Sequence, residues 1–459
     1  MSSTKDTTAN QAVPKRKTPA PVAEMPISLN VALERMNREF CIVSRLPGIA
    51  VIPTPDDPEV HIYSRGEFCQ TVCANRRVDK QPVANVWMTS PTRREVKRLT
   101  YAPGQAQFLP DALNTWLPSR VTPKASDIAP WLAYLDHIFQ SDSTHRDWLL
   151  AWLAYQFQNP GTKLHSAVVF WSSETGTGKS LFGYIMAELF GQHNFAEINE
   201  GELHGNFNFW AARKQFVMGE EIKGSNAQKQ ADLLKSVITR KFVTINTKNT
   251  PHYTLPDCIN YFFTSNRENA FFLDDTDRRF FVHKLADVKL DAAYVHGTFI
   301  PWLKNGGYAA ILDFLLKIDL TAPLAATGKP FTPSGPAPQT AARKAMIQAN
   351  REPIDLWWDE FMDDLPAPYL VLAMDDLWNA YTVSNKRFKE SVHQFQKRIK
   401  PRLTPLREGN QISLSGEPRK RLFLLTTLLS NAQTSEKQRL ELLSTEEISQ
   451  EYFVSREAI

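Results

Sequence analysis

The feature that most constrains this chain is a glycine-rich segment, residues 173–180, which lies between an apolar run and a helical pattern. The run Ser166–Trp171 (SAVVFW) predicts a buried strand. The segment follows the pattern G-x-x-x-x-G-K-[ST], in which backbone N–H groups and a helix N-terminus hold phosphate oxygens. It departs from that pattern only at Ser173, where a glycine is usual. Strands that alternate with helices from here onward predict an α/β domain with a mainly parallel sheet.

We expect this segment to bind ATP together with Mg²⁺. The pattern assigns Lys179 to the β- and γ-phosphates and the hydroxyl of Ser180 to Mg²⁺. A glycine-rich turn that only joins a strand to a helix is the alternative. The predicted nucleotide-binding residues are Ser173, Glu174, Thr175, Gly176, Thr177, Gly178, Lys179 and Ser180.

Two adjacent acids end the next apolar strand, which we predict over Gln215–Gly219. Hydrolysis needs one carboxylate to orient Mg²⁺ and another to activate water. We therefore expect Glu220 to hold the water shell of Mg²⁺ and Glu221 to act as the general base. A strand that ends in solvated acids is common and is the alternative. The interval from the phosphate loop favours the functional interpretation.

Two further polar motifs accompany predicted strands. Asn266 follows the strand Asn260–Thr264, and we expect its amide to position the attacking water against the γ-phosphate. Arg278 and Arg279 precede the strand Phe280–His283. An arginine beside the γ-phosphate of a neighbouring subunit stabilises the charge of the transition state. An asparagine in an ordinary turn and two surface arginines that cap a strand are the alternatives.

Composition excludes several classes of protein. The 459 residues are 42% hydrophobic and 22% charged, a globular balance that predicts two or three domains. No stretch approaches the roughly 18 apolar residues of a membrane-spanning helix, and the start of the chain lacks the apolar segment of a secretory signal. Four cysteines make no disulfide framework, so we expect a reducing cytosol and no membrane contact.

Changes in composition along the chain predict its domain organisation. The tail after residue 426 is polar and is expected to form one surface helix. The predicted segments are a disordered leader (1–24), a mixed α+β domain (25–125), a helical segment (126–163), the α/β domain of the phosphate loop (164–320), a Pro-rich linker (321–352), a basic domain (353–425) and a polar helical tail (426–459).

The net charge of +4 is too small to indicate a nucleic-acid partner, but its distribution is informative. Residues 386–421 contain 11 Lys and Arg against 3 Glu, a local charge of +8. Predicted helices followed by two short β runs around glycine turns suggest a winged-helix-like domain that binds DNA. A solvated basic face is the alternative.

The ordered set of a phosphate loop, a Glu-Glu pair, a strand ending in Thr-Ser-Asn and an Asp-Arg-Arg motif resembles the superfamily 3 helicases, which are AAA+ motors. The group that it resembles most is the primase-associated helicases of phages and plasmids, including the motor of phage primase-polymerases. The upstream segment LAYLDHIF…DWLLAWLAYQFQNPG looks like the helices that precede the motor there. The likeness covers residues 85–425 and is strongest over residues 164–285.

The resemblance implies a ring-shaped hexamer with ATP between subunits, in which a β-hairpin from each subunit grips single-stranded DNA. That hairpin belongs between the Glu-Glu pair and Asn266. The DNA-contacting residues that it implies are Lys248 with Asn249 and His252, and Lys235 and Lys241 as secondary candidates. A basic polar turn between two β runs is consistent with a backbone clamp, and a solvated loop is the alternative.

The function that this set implies is an ATP-dependent DNA helicase, acting on single-stranded and forked DNA during replication of a phage, plasmid or other mobile element in the bacterial host cytoplasm. Arg278 is favoured as the finger acting in trans, with Arg279 as its helper. The chain shows no primase signature, so either a separate primase or polymerase is its partner or this chain does without priming. The alternative function is an ATP-switched DNA-binding or assembly protein at a replication origin. The complete Glu-Glu pair argues against it, because a pure switch needs no hydrolytic base.

Overall fold

The structure is a computed structural model, and it describes residues 28–46, 48–78, 80–221, 227–246, 252–385, 389–406, 411–426 and 437–459. The chain folds into two compact units. The first comprises the described residues up to Arg267 together with Arg278–Thr340. The second comprises Glu268–Asp277 and the described residues of Ala341–Ile459.

The first unit begins with short elements that form three small sheets. The elements are α1 (Leu29–Glu39), β1 (Phe40–Val43), β2 (Gly48–Val51), β3 (Ile62–Tyr63), α2 (Arg65–Glu67), β4 (Arg77–Val78), β5 (Gln81–Pro82), α3 (Val83–Thr89), β6 (Glu95–Val96), β7 (Arg98–Thr100), β8 (Phe108–Leu109) and β9 (Ala112–Asn114). The strands pair in the orders β3-β2-β1-β6, β7-β9-β8 and β4-β5.

This amino-terminal region belongs to the same unit as the phosphate loop. The indole N–H of Trp116 donates to Gln215 Oε1 at 2.9 Å, and the hydroxyl of Tyr101 donates to Asn194 Oδ1 at 2.8 Å. Both acceptors lie beside strands of the central sheet. The region therefore braces that sheet, a role for which the sequence offered no signal.

Two helices, α4 (Ala129–Phe139) and α5 (Ser143–Gln158), follow and confirm the helical prediction for this part of the chain. Apolar residues recur on several faces of α5, and eight of its residues are buried. A helix that is apolar on most of its surface must be enclosed by other elements. Trp131, Trp148 and Trp152 accordingly lie in the largest hydrophobic core, against the central sheet.

The central sheet contains five parallel strands in the order β11-β12-β15-β10-β16. Its strands and the elements between them are β10 (Ala167–Trp171), α6 (Lys179–Phe190), β11 (Phe195–Ile198), α7 (Glu200–His204), β12 (Phe216–Gly219), α8 (Ala227–Thr239), β13 (Phe242–Ile245), β14 (Tyr253–Pro256), β15 (Asn260–Ser265) and β16 (Phe280–Lys284). Every residue of β10, β12 and β15 is buried, as parallel strands covered on both faces require. The predicted mainly parallel sheet is confirmed.

Helical turns close the first unit. They include α9 (Ala292–Tyr294), α10 (Ile300–Trp302) and α11 (Tyr308–Leu316). The segment predicted as a Pro-rich linker is partly core and partly helix in the structure. Phe331 and Ala337 are buried in the large core, and Ala341–Ala349 is helical. Prolines end regular structure here without preventing burial of the apolar side chains between them.

The second unit contains a three-stranded antiparallel sheet, β17-β21-β18, and a separate two-stranded hairpin, β19-β20. Its elements are α12 (Ala341–Ala349), α13 (Pro353–Asp363), β17 (Tyr369–Ala373), α14 (Met374–Ser384), α15 (Val392–Ile399), β18 (Thr404–Pro405), β19 (Ile412–Leu414), β20 (Glu417–Lys420), β21 (Leu422–Thr426) and α16 (Thr445–Glu457). The helix α16 lies in the predicted polar tail, yet Ile448 and Tyr452 are buried in the core of this unit.

Across the described ranges, we find no helix that has the length and apolar character needed to span a membrane.

Candidate nucleotide-binding site

The phosphate loop between β10 and α6 depends on two glycines. Gly176 and Gly178 have φ angles of 74° and 102°, a region that favours glycine. A Cβ atom on Gly178 would lie 2.6 Å from Leu290 Cδ1. The buried hydroxyl of Tyr134 donates to the carbonyl of Gly178 at 2.8 Å, so α4 supports the loop. The backbone conformation therefore favours glycine at both positions, and the close approach of Leu290 also favours glycine at position 178.

Ser173, the one departure from the phosphate-loop pattern, is accommodated without backbone strain. Its φ is not positive, so a side chain adds little backbone strain at this position. Its backbone N–H donates to Asp287 Oδ1 at 2.9 Å. The hydroxyl and backbone of Ser173 lower the pKa of the Asp287 carboxyl. The serine thus ties the start of the loop to the segment after β16, and sequence reasoning missed Asp287.

Lys179, the first residue of α6, is buried inside the loop. Its ammonium group donates to Ser172 Oγ at 2.7 Å, to the carbonyl of Glu174 at 2.9 Å and to Thr177 Oγ1 at 3.3 Å. Burial lowers the pKa of Lys179, and the carboxylate of Asp287 partly offsets this effect. These acceptors belong to the loop itself, so the cation is held where a phosphate would meet it.

The hydroxyl of Ser180 donates to Glu220 Oε1 in a short hydrogen bond. Glu220 directly follows β12, and Ser180 lies in the first turn of α6. Sequence reasoning assigned both residues to Mg²⁺, and the fold brings them together. Hydroxyl and carboxylate oxygens are hard donors that suit Mg²⁺, so the residues present fit that ion.

One cavity of about 420 Å³ unites most of the predicted residues. Its walls include loop residues 175–180, Glu220, Glu221 and Asn266. The strand order explains this convergence, because β15 lies between β10 and β12 and all three strands end at the same edge. Polar residues that follow these strands must therefore meet at that edge.

Glu221 has a φ of 48°, an uncommon value for a residue other than glycine. Residues held in such conformations cluster at functional sites, where the surrounding structure enforces them. The side chain is exposed, whereas the neighbouring Glu220 is half-buried. This difference matches the two roles expected of the pair, a metal ligand and a base with access to water.

A third carboxylate, Glu197 on β11, lies beside Glu220 and was not predicted. Burial and the carboxylate of Glu220 raise the pKa of Glu197, and the hydroxyl of Tyr184 hydrogen-bonds to it. Burial, followed by the two carboxylates, raises the pKa of Tyr184 to about 12. No pattern in the sequence marks Glu197, because the pairing of β11 with β12 in the sheet is what brings it beside Glu220.

Arg278 and Arg279 lie away from the cavity. The N–H of Ala167, at the start of β10, donates to the carbonyl of Arg279 at 2.9 Å. The phosphate loop leaves the other end of β10, four residue steps or roughly 13 Å away. The structure therefore separates both arginines from the phosphate loop of their own chain, an arrangement consistent with a role in trans.

The predicted hairpin is present between the Glu-Glu pair and Asn266. Its strands β13 and β14 pair antiparallel from Phe242 with Pro256 to Ile245 with Tyr253. Of the predicted DNA contacts, Lys248 and Asn249 lie outside the described residues.

The remaining predicted DNA contacts do not form one cluster. Lys241 precedes β13, whereas His252 precedes β14 at the other end of the hairpin, and both are exposed. Lys235 lies on α8. The structure thus brings Lys241 and His252 into one hairpin without bringing them together.

The hairpin is anchored on both sides. At its base, buried Asp257 accepts from Lys163 Nζ at 2.9 Å and pairs with Arg240. Burial lowers the pKa of Lys163 to about 8, an effect that Asp257 opposes. Beside β13, Asn208 Nδ2 donates to the carbonyl of Thr244 at 2.9 Å, and Asn208 Oδ1 accepts from the N–H of Asn246 at 2.8 Å.

Three exposed phenylalanines accompany this anchored hairpin and were not predicted as functional. Phe207, Phe209 and Phe242 have relative exposures of 52%, 62% and 63%. Phe207 and Phe209 flank Asn208, whose hydrogen bonds hold them beside β13. Exposed aromatic rings are platforms on which bases of single-stranded nucleic acid stack.

Comparison with known proteins identifies a matching family model over residues 170–279, described as a family of unknown function, DUF5906. The DNA primase-polymerase of Nitratiruptor phage NrS-1 is 27% identical over 147 residues, which are 31% of this chain and 20% of that protein. The match thus spans only a small part of that relative. The family match includes the phosphate loop, both glutamates, the hairpin and Asn266.

Solved structures of the NrS-1 C-terminal region share the fold. One apo structure has a TM-score of 0.63 at 16% identity and covers 87% of this chain and 99% of that chain. An apo structure of the A form has a TM-score of 0.61 at 16% identity, with the same coverage. The chain is therefore similar in fold to the carboxyl-terminal part of a phage replication enzyme.

Proposed function

We propose that this chain is an ATP-dependent DNA helicase of the superfamily 3 type, an AAA+ motor that acts in the replication of a phage or related mobile element. The observation that carries the proposal is the single cavity shared by the phosphate loop, Glu220, Glu221 and Asn266. A phosphate cradle alone supports binding, whereas a cradle with a carboxylate pair supports hydrolysis.

In this proposal the chain's own residues divide the work. Lys179 exchanges its loop acceptors for the β- and γ-phosphates, and the N-terminus of α6 adds backbone N–H groups. Ser180 and Glu220 would hold Mg²⁺, which when bound neutralises charge on the phosphates. Glu221 takes a proton from the attacking water, and Asn266 orients that water.

Arg278, with Arg279 as its helper, would complete the site of a neighbouring subunit. Both lie at the edge of the sheet opposite the phosphate loop, so a ring of subunits is the arrangement that uses them. An arginine finger acting in trans stabilises the charge of the transferring phosphoryl group. We infer a hexameric ring by resemblance to superfamily 3 motors.

Single-stranded DNA would bind at the hairpin. Lys248, Asn249 and His252 remain the proposed contacts, and the exposed phenylalanines beside β13 add stacking surfaces. The similarity to a phage primase-polymerase supports a role at replicating phage DNA in the host cytoplasm. Because these residues carry no primase signature, we propose a separate primase or polymerase as a partner.

The test is strand displacement on a forked duplex with ATP, comparing the wild type with Lys179→Ala and Glu221→Gln. We expect the wild type to unwind the fork and both variants to fail. Glu221→Gln should retain nucleotide binding, because Gln keeps the size of the side chain and removes only the base. Lys179→Ala should lose binding as well.

Two outcomes would overturn the proposal. If Glu221→Gln still unwinds DNA, the assignment of the base is wrong. If the wild type hydrolyses ATP and binds DNA without separating strands, an ATP-switched assembly protein replaces the helicase. Addition of a primase or polymerase partner to the same assay would show whether a missing partner had prevented strand separation.

A further inference from the structure

The helices and strands of the second unit follow one another in the order typical of a winged helix. The described elements run α13, β17, α14, α15, β18, then the hairpin β19-β20, then β21. Strands β17, β21 and β18 form one sheet, and the hairpin β19-β20 forms a separate two-stranded ribbon. Proteins with this arrangement set a helix and a protruding ribbon side by side, and both can contact nucleic acid.

A cleft of about 320 Å³ opens beside this ribbon. Gln396 and Lys400 line it from α15 and the turn after it, and the ribbon side contributes Arg419 and Arg421. The remaining lining residues are Ala373, Met374, Asp375, Gln411, Lys420 and Phe423. Of all the described side chains that line the cleft, four are cationic, namely Lys400, Arg419, Lys420 and Arg421, and one, Asp375, is acidic.

Not every cation of this basic region is available to a ligand. Arg398 and Arg402 both pair with Asp355, which consumes part of the local positive charge. Lys420 Nζ lies 3.0 Å from Glu417 Oε2 and 3.1 Å from the hydroxyl of Tyr452. Each of these three cations is held by a carboxylate of the unit itself and is therefore less available to a ligand.

The cations that remain face the cleft. Lys400 and Arg421 are exposed, and their side chains make no ion pair with another residue that the structure describes. Arg419 is exposed, and its Nε donates to Ser413 Oγ at 3.1 Å, while its terminal nitrogens make no hydrogen bond to a residue within the described ranges. The amides of Gln396 and Gln411 add uncharged donors between them.

We propose that this cleft binds the phosphate backbone of duplex DNA. Cations and amide donors that surround a groove are the usual contacts of phosphate oxygens. Single-stranded DNA is disfavoured here, because such sites offer rings for base stacking, and Phe423, the one aromatic residue among the described residues that line the cleft, is 5% exposed. The exposed phenylalanines of the first unit show the opposite character.

This inference rests on the proposed function in taking DNA as the substrate, and it adds a second site with a different preference. A motor that grips one strand at its hairpin gains from a separate contact to the duplex ahead, since two linked contacts raise effective concentration. The site would hold the duplex without reading its sequence, because phosphate contacts carry little sequence information.

The experiment measures binding of the full chain to a blunt duplex and to a single strand over a range of salt concentrations. The test variant is Lys400→Ala/Arg421→Ala, and the control is Lys344→Ala, which removes an exposed lysine of α12 outside the cleft. Loss of two phosphate contacts should lower the magnitude of the salt slope by about 2. The change in duplex affinity between 50 and 200 mM salt should accordingly shrink by about tenfold.

The expected result is weaker duplex binding in the double variant, with unchanged single-strand binding, ATP hydrolysis and control behaviour. An unchanged salt slope, or a loss confined to the single strand, would overturn the inference. Failure here is distinguishable from failure of the proposed function. If the wild type unwinds forks and the double variant binds duplex DNA normally, only the proposal for the cleft is refuted. If the wild type does not unwind forks and the double variant loses duplex binding, only the proposal of a motor is refuted.

Discussion

The phosphate loop of the first unit and the basic cleft of the second unit both present positive charge, but they draw it from different parts of the chain. The loop uses backbone N–H groups and one buried lysine, and core residues such as Tyr134 hold it in shape. The cleft uses exposed side chains, chiefly Lys400, Arg419 and Arg421.

This difference predicts how each site responds to change. Groups buried in a low-dielectric site act strongly and depend on exact geometry, whereas exposed charges act weakly, additively and under screening by salt. A single substitution should abolish the function of the loop, and only combined substitutions should weaken the cleft. Three experiments can break or sharpen the comparison.

The largest expected effect is that of Lys179→Ala on ATP hydrolysis. Removing a preorganised charge at a reacting phosphate costs about 100- to 1,000-fold in rate. The comparison variant Arg421→Ala removes a cation of the cleft and should leave hydrolysis unchanged. Steady-state phosphate release measures both. Equal losses in the two variants would show that the loop lysine acts only through general charge.

The second-largest expected effect is a loss of folding stability at acidic pH. Burial lowers the pKa of His283, which lies on β16 beside the carbonyl of Ile138, to about 4 from an ordinary value of 6.5. Below pH 6.5 the unfolded chain takes up a proton that the folded chain refuses until about pH 4, so stability falls as the pH falls. The shift corresponds to about 3 kcal/mol between pH 7 and pH 4.

Urea unfolding at several pH values measures this loss, and His283→Phe should flatten the dependence even if its stability at pH 7 is lower. The carboxylate of Asp142 lies nearby and its pKa is lowered, so its protonation adds to the loss at the acid end. A variant with an undiminished pH slope would exclude His283 as the cause.

The smallest effect compares two glycines of the first unit that share a positive φ. Gly178→Ala and Gly306→Ala both place a Cβ at a φ above 100°, at a cost of about 1–2 kcal/mol in the free energy of unfolding. A Cβ on Gly178 also meets Leu290, whereas one on Gly306 meets nothing within 4 Å. Denaturation measures the stability of both variants, and a fluorescent nucleotide measures their binding. Only Gly178→Ala should lose nucleotide binding. Lost binding in both variants would point to general destabilisation.

Much of the first unit was predictable because its signals are local. A strand, a glycine-rich loop and a helix occupy consecutive residues, so the pattern over residues 166–190 specifies them without knowledge of the rest. The strands that precede Glu220 and Asn266 were predicted on the same basis, and parallel pairing brought their ends together. The predicted parallel sheet follows from the alternation of strands and helices.

The parts that sequence reasoning missed depend on contacts between distant positions. Asp287 reaches Ser173 across 114 residues of chain, and Tyr134 reaches Gly178 across 44. No periodicity or spacing connects such pairs. The cleft shows the same limit, since the local charge of +8 was visible, but its division into paired and available cations required the position of Asp355.

The sequence by itself determined which chemical groups are present and which short segments could hold phosphate, because those properties depend on neighbouring residues and on preferred backbone conformations. Only the tertiary structure decided which groups meet. Strand order brought Asn266 between Lys179 and Glu220, and the parallel direction of β16 placed Arg278 at the opposite ends of the strands from all three. The physical reason is that burial and pairing are properties of the packed chain, and they set both the geometry and the strength of each charge.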